Sequence, residues 1–232
     1  MLHQLRDNSG RAQQAIAIFW GIIGLSSISF LVEMLYAVSV SSTADLSAGW
    51  GQFLEYSRVA VAIAQIPIRI LSIVFFLQWF RRAYYNLRYL SGRPDHSDGW
   101  AVGAWFVPFL NLFRPYSIMK EIWYGTNSAA GRGRQHGLLQ WWWIAYLVHG
   151  GLNRAADKVS TKAETLTELQ NAASLNVFSN FADVVSAALT LMVIRYVHES
   201  EQAVALFGQV RQLGGDAPAP DDVHPTEEEQ YA

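Results

Sequence analysis

The sequence predicts an all-α fold, a polytopic transmembrane helical bundle of four spans plus a proline-broken re-entrant or interfacial segment. Three observations predict it. Of the 232 residues, 51% are hydrophobic and only 16% are charged, against roughly 25% charged in a soluble domain. The apolar residues gather into runs of about 20, the length that crosses a bilayer. Lys and Arg cluster in particular connections between those runs, as the positive-inside rule expects. The same composition removes several function classes. The absence of cysteine excludes disulfides, thiolate metal sites and cysteine nucleophiles. A net charge of −2 leaves no basic footprint for nucleic acid.

The first run, Ala12 to Val32, carries no charge, and apolar character continues past Glu33 to Val40. It exceeds the roughly 7–15 residues of a signal-peptide core, so an uncleaved span over residues 12–40 is expected despite the small residues Ala37-Val38-Ser39. The second span, 58–82, is built on the apolar run Val59 to Phe80, interrupted only by Arg69, and the third, 137–155, holds Trp141-Trp142-Trp143 and His149. The fourth, 172–197, contains the single charge Asp183 within its apolar run. Segment 99–124 differs. Its apolar part, Trp100 to Phe113, is 14 residues long and contains Pro108, and Pro115 follows seven residues later. That length suits a re-entrant or interfacial segment. Proline also removes an N–H and clashes one turn back, which argues against one straight helix. From Gly214 the chain becomes Pro-rich and acidic, so residues 1–213 are expected to form one membrane domain and 214–232 a disordered tail.

Charge placement orients this arrangement. With four spans and both termini cytoplasmic, twelve of the 17 Lys and Arg fall inside and three outside. A fifth span through 99–124 would divide them nine to five, so four spans are favoured. Trp50, Tyr56, Trp79, Tyr84, Tyr85, Trp123, Tyr124 and Tyr196 lie near run ends, where interfacial belts form.

Helical spacing places the polar residues of each span on one stripe: Ser26, Ser29 and Glu33; Arg58, Gln65, Arg69 and Ser72; Trp142, Tyr146, His149 and Asn153; and Asn176, Ser179, Asn180, Asp183 and Thr190. In lipid these stripes must face one another. Arg69 and Asp183 each lie 11 residues from the outer boundary, roughly 16 Å deep. An isolated charge there costs about 2.5–3.5 kcal/mol or more, so the two are expected to pair directly. Glu33 lies closer to the surface, where solvation is the expectation. The seam Glu33, Gln65, Arg69, His149, Asn180 and Asp183 is either a packing device or the polar lining of a transporter or channel.

The stretch Gln78 to Ser128 contains Trp79, Arg82 and Asn86, then Gly99, Trp100 and Gly103, then Trp105, Phe106, Pro108, Asn111, Leu112, Arg114 and Pro115, then Met119, Glu121 and Trp123. This pattern resembles the signature of the bacterial membrane family catalogued as domain of unknown function 4328. The resemblance implies a multi-pass bacterial membrane protein and implies no activity. Trp105, Pro108, Asn111, Arg114, Pro115, Glu121 and Trp123 become candidate contacts for lipid, a small ligand or a partner, with Arg114 meeting an anion. The bland alternative is structural: Asn111 would satisfy a backbone group freed by Pro115.

No phosphate-loop, zinc-protease or nucleophile-elbow pattern occurs. No cofactor and no metal is expected, and no enzyme. The expected function is a non-enzymatic module of the bacterial inner membrane that binds lipid, a small ligand, another membrane protein or itself. The alternative is a small-solute or proton transporter using Arg69 and Asp183.

Overall fold

The computed structural model describes residues 5–41, 48–90, 94–133 and 137–213. Six α-helices carry nearly all of them: α1 (Ser9–Ser41), α2 (Ala48–Leu90), α3 (Trp100–Gly103), α4 (Arg114–Ala129), α5 (Gly137–Ser160) and α6 (Leu166–Leu213). A 3-10 turn at Leu110–Leu112 precedes α4, and no strand occurs among the described residues. The tail 214–232, Arg93 and Arg134 lie outside the described residues.

Three helices are long and apolar enough to cross a membrane: Ser9–Ser41, Gly49–Leu90 and Leu166–Val210. The third expected span is helical as α5, but Gln140, Asn153, Arg154, Asp157 and Lys158 keep it below the apolarity of those three. The expected spans 58–82 and 172–197 are the middles of much longer helices. The 43 residues of α2 and 48 of α6 extend about 65 and 72 Å, twice the roughly 30 Å of bilayer hydrocarbon. The apolar pattern ends near Phe80, but no Gly or Pro follows before Leu90, so nothing stops the helix there.

The long helices run antiparallel, in registers marked by polar contacts. Between α1 and α6, Asn8 Nδ2 donates to both Glu201 carboxylate oxygens (3.3 and 3.1 Å). Ser26 donates to Asp183 (2.6 Å), and Gln170 donates to the Val40 carbonyl (3.1 Å). Ser26 lies 18 residues after Asn8, and Asp183 lies 18 before Glu201, so the pair does not slip between these points. Between α1 and α2, Arg11 donates to the Gln78 carbonyl (3.1 Å) and Arg58 to Glu33 (2.9 Å). Midway, Gly21 faces Ile68 so closely that a Cβ would come within 2.8 Å of its Cδ1. Small residues allow such helix approach in membranes. Between α5 and α6, Trp142 donates to Thr190 (3.1 Å), and Asn176 donates to Ser160 (3.1 Å).

The densest core sits at the end of the bundle where α1 begins. Trp79, Phe80 and Tyr84 of α2, Ile118, Ile122 and Trp123 of α4, Trp142 of α5, and Ile194 and Val197 of α6 are buried there. Three of the aromatics expected in interfacial belts, Trp79, Tyr84 and Trp123, are therefore inside the protein. The reason is α4, whose apolar face covers the projecting ends of α2 and α6. Trp123 stacks on Tyr196 with ring centres 4.3 Å apart and planes 12° apart. Trp50 and Tyr56, at the other end, remain exposed as belt residues should.

Segment 99–124 is broken as the prolines predict. After α3 the chain turns through Phe109, whose φ of 64° is the one positive value at a non-glycine residue among the described residues. The 3-10 turn follows, and Pro115 enters the first turn of α4, where its missing N–H has no partner to lose. Before the turn, Trp105 packs edge-on against Phe76 (5.3 Å) and Tyr146 (5.6 Å). Phe76 lies seven residues from Arg69, about 10 Å along α2. The segment thus reaches into the bundle and turns back.

Trp123→Ala removes a fully buried ring joining α4 to α6. The expected loss is about 3–5 kcal/mol of stability, read as a lower melting temperature in detergent, with limited proteolysis nicking residues 94–133 before the long helices.

Candidate functional site

Asp183 is the meeting point of four helices. Its carboxylate, on α6, accepts from Arg69 Nη2 (2.6 Å) and Nη1 (3.4 Å) of α2 and from Ser26 of α1 (2.6 Å). His149 Nε2 of α5 stands 3.4 Å away. Arg69 also donates to Gln65 Oε1 one turn back (3.4 Å). The Asp183 side chain is 7% exposed, whereas that of Arg69 is 38% exposed. The difference is a cleft of about 320 Å³, with Arg69 and Asp183 at one end and Phe19, Phe76, Trp105 and Phe106 along its walls. The re-entrant segment therefore closes the cleft on the side away from the ion pair.

The other seam residues divide. Glu33, expected to be solvated, is instead held by Arg58 (2.9 Å), which also binds Glu55 (3.1 Å) and lies over the Tyr36 ring (3.9 Å). The α1–α2 register brings the two charges level and places Glu33 Oε1 on the guanidinium. Asn180 stays within its own helix, donating to the Asn176 carbonyl (2.9 Å), and does not reach Asp183.

The signature residues between α2 and α4 divide as well. Glu121 is a clamp. One oxygen accepts from the Tyr84 hydroxyl (2.9 Å) and the Asp95 N–H (3.1 Å), and the other meets His96 Nδ1 (2.8 Å). The His96 N–H in turn donates to Tyr84 (2.9 Å). Burial and the neighbouring Glu121 hold the Tyr84 phenol above its ordinary pKa, so it stays a neutral donor. Asn86 is a second clamp: its Oδ1 accepts the Arg6 N–H (3.0 Å), and its Nδ2 donates to the Arg6 carbonyl (2.9 Å).

Asn111 makes no side-chain hydrogen bond among the described residues. The backbone rescue expected of it is not needed, because Pro115 begins a helix rather than interrupting one. Arg114 lies over the Trp100 ring at 4.3 Å and has no carboxylate partner among the described residues. Around it the segment turns large apolar groups outward. Phe109 is 82% exposed and Phe113 72%, and Phe106, Val107 and Leu112 are exposed as well. Nearby, Arg88 is engaged by Asp98 (2.7 Å) and Arg132 by Ser200 (3.1 Å).

Residues 42–199 match the family described as domain of unknown function (DUF4328). The chain belongs to this family. No curated protein and no solved structure matches it. The family match takes in Arg69, His149, Asp183 and the whole re-entrant segment, and leaves α1 outside. Ser26 is thus a partner of Asp183 that the signature does not contain. Its place on the polar stripe of the first span was the signal for it. Asn8 and Glu201, separated by 193 residues, had no local signal at all.

Removing one member of a buried pair costs about 3–5 kcal/mol. Asp183→Asn and Arg69→Gln should each lower the melting temperature in detergent, and the double variant should recover part of the sum. Fully additive losses would show that the two do not act as a pair. Glu121→Ala should leave the bundle folded and make the peptide bonds around Asp95 and His96 more sensitive to protease.

Proposed function

We propose that this integral membrane protein is a non-enzymatic module of the bacterial inner membrane, with both termini cytoplasmic, that binds anionic lipid through its re-entrant segment. In this reading α1, α2, α5 and α6 make four crossings. The observation that carries it is the pairing of an outward apolar lip, Phe106, Phe109 and Phe113, with the cation of Arg114. Rings of that size facing water would be costly, at roughly 25 cal/mol per Å² of apolar surface. In the acyl region they are at home. Phe109 also holds a left-handed backbone, a strain of order 1–3 kcal/mol that persists only where the surroundings over-determine it. A lipid phosphate beside Arg114 would supply the counter-charge that no side chain among the described residues supplies, at about 1 kcal/mol per basic residue.

A second reading is favoured by one observation, the cleft that ends at Arg69 and Asp183. It is small-solute or proton movement through the seam. The predominantly apolar walls, Phe106 of the lip among them, fit an acyl chain better than a hydrated solute.

In nanodiscs of mixed composition, Arg114→Gln should reduce the preference for phosphatidylglycerol over phosphatidylcholine about five-fold, the equivalent of about 1 kcal/mol. Phe109→Ser/Phe113→Ser should lower the amount of co-purified lipid seen by native mass spectrometry. An unchanged preference in Arg114→Gln would overturn the lipid reading. Proton uptake by proteoliposomes that Asp183→Asn abolishes would establish the second reading instead.

A further inference from the structure

A second cleft, of about 490 Å³, lies where α1 begins, between residues 5–9, the end of α2 and the projecting part of α6. It is distinct from the seam. Glu201 lies 18 residues beyond Asp183, about 27 Å along the helix. Asp7, Asn8, Asn86, His198 and Glu201 line it.

Its chemistry is one of acceptors without a matching positive charge. The Glu201 carboxylate accepts from Asn8 Nδ2 at 3.3 and 3.1 Å, and its other hydrogen-bond neighbour, Asn86, is likewise an uncharged amide. Asn8 is only 4% exposed, and its own Oδ1 is buried with no hydrogen-bond partner. Turning the amide over would set Oδ1 against the Glu201 carboxylate, so the unpartnered oxygen is the consequence of the bond the nitrogen makes. A buried acceptor left unmatched costs about 1–3 kcal/mol.

The charged neighbours do not relieve this. Enclosure raises the Glu201 carboxyl to about 7, with Asp7, itself negative, adding to the rise. The Arg6 guanidinium, which also borders the cleft, is turned onto the Tyr85 ring at 4.1 Å. Arg82 acts on Asp7, and burial depresses the pKa of His198, keeping it neutral. His198 Nε2 is occupied by Gln202 (3.1 Å).

A metal is not the natural occupant, because no group of three His, Asp or Glu among the described residues is placed to hold one. A cation that brings several N–H donors is. We propose that this cleft binds a primary ammonium group, whose N–H bonds go to the Glu201 carboxylate and the Asn8 carbonyl oxygen. The group could come from a soluble alkylamine or from an ethanolamine lipid headgroup, since the cleft lies just beyond the roughly 20–22 Å half-thickness of a bilayer with its headgroups.

The test uses the full chain in phosphatidylcholine nanodiscs, titrated calorimetrically with putrescine at pH 8. Saturable binding at one site is expected, at least ten-fold tighter than for tetramethylammonium, which carries the charge without N–H donors. Glu201→Gln should weaken it at least ten-fold, and Glu199→Gln, whose carboxylate faces Arg132 instead, should not. Affinity should rise with pH and level off above about 7, as Glu201 loses its proton. If Glu201→Gln fails to fold, the tetramethylammonium comparison and the pH profile on the wild type decide. Loss of putrescine binding when phosphatidylethanolamine replaces phosphatidylcholine identifies the headgroup as the source, and equal binding in both lipids identifies a soluble amine. The proposal is overturned if putrescine does not saturate in phosphatidylcholine, if tetramethylammonium binds equally well, or if folded Glu201→Gln binds unchanged.

Discussion

One carboxylate organises this bundle. Asp183 on α6 accepts from Ser26 on α1 and Arg69 on α2 and lies beside His149 on α5. Between helices in lipid there is no hydrophobic driving force, because acyl chains are as apolar as leucine side chains. Register must come from close packing and from polar groups that have nowhere else to go. A slip of one turn in α1 would separate Ser26 from Asp183, Asn8 from Glu201 and Gln170 from Val40 together. The contacts are therefore mutually reinforcing, although each is modest alone.

The family signature takes on a physical meaning against that frame. Two of its polar positions are clamps. Glu121 gathers Tyr84, Asp95 and His96, and Asn86 holds both backbone polar groups of Arg6. Trp79 and Trp123 fill the core under α4. With those residues committed to holding the fold, Phe109, Phe113 and Arg114 stand out. They belong to the same segment: the two rings are exposed, and the half-buried Arg114 lies over Trp100 beside them. The clamps make the segment rigid, and the rigidity is what allows it to present a strained phenylalanine outward.

The two clefts differ in how their charge is handled. Inside the apolar part of the bundle the negative charge is compensated at once by a guanidinium, because an unpaired charge in hydrocarbon is prohibitive. Beyond it, where α1 starts, Glu201 is met by the side-chain amides of Asn8 and Asn86, and the nearby Arg6 guanidinium is turned onto Tyr85. Water is near enough there for the imbalance to persist, and the imbalance is what makes that cleft selective for a positive partner.

Helix content, the apolar runs, the broken segment and the polar stripes followed from the sequence, because bilayer thickness and helical periodicity act on each run independently of its neighbours. Even the depth match of Arg69 and Asp183 is a matter of counting residues. The partners of each stripe were another matter. That Glu33 meets Arg58 rather than water, that Trp79, Tyr84 and Trp123 are core rather than belt, and that Asn8 reaches across 193 residues to Glu201 all depend on which helices become neighbours. That depends on how α4 folds back over the ends of α2 and α6. Local pattern specifies which face of a helix must be hidden; only tertiary packing decides what hides it.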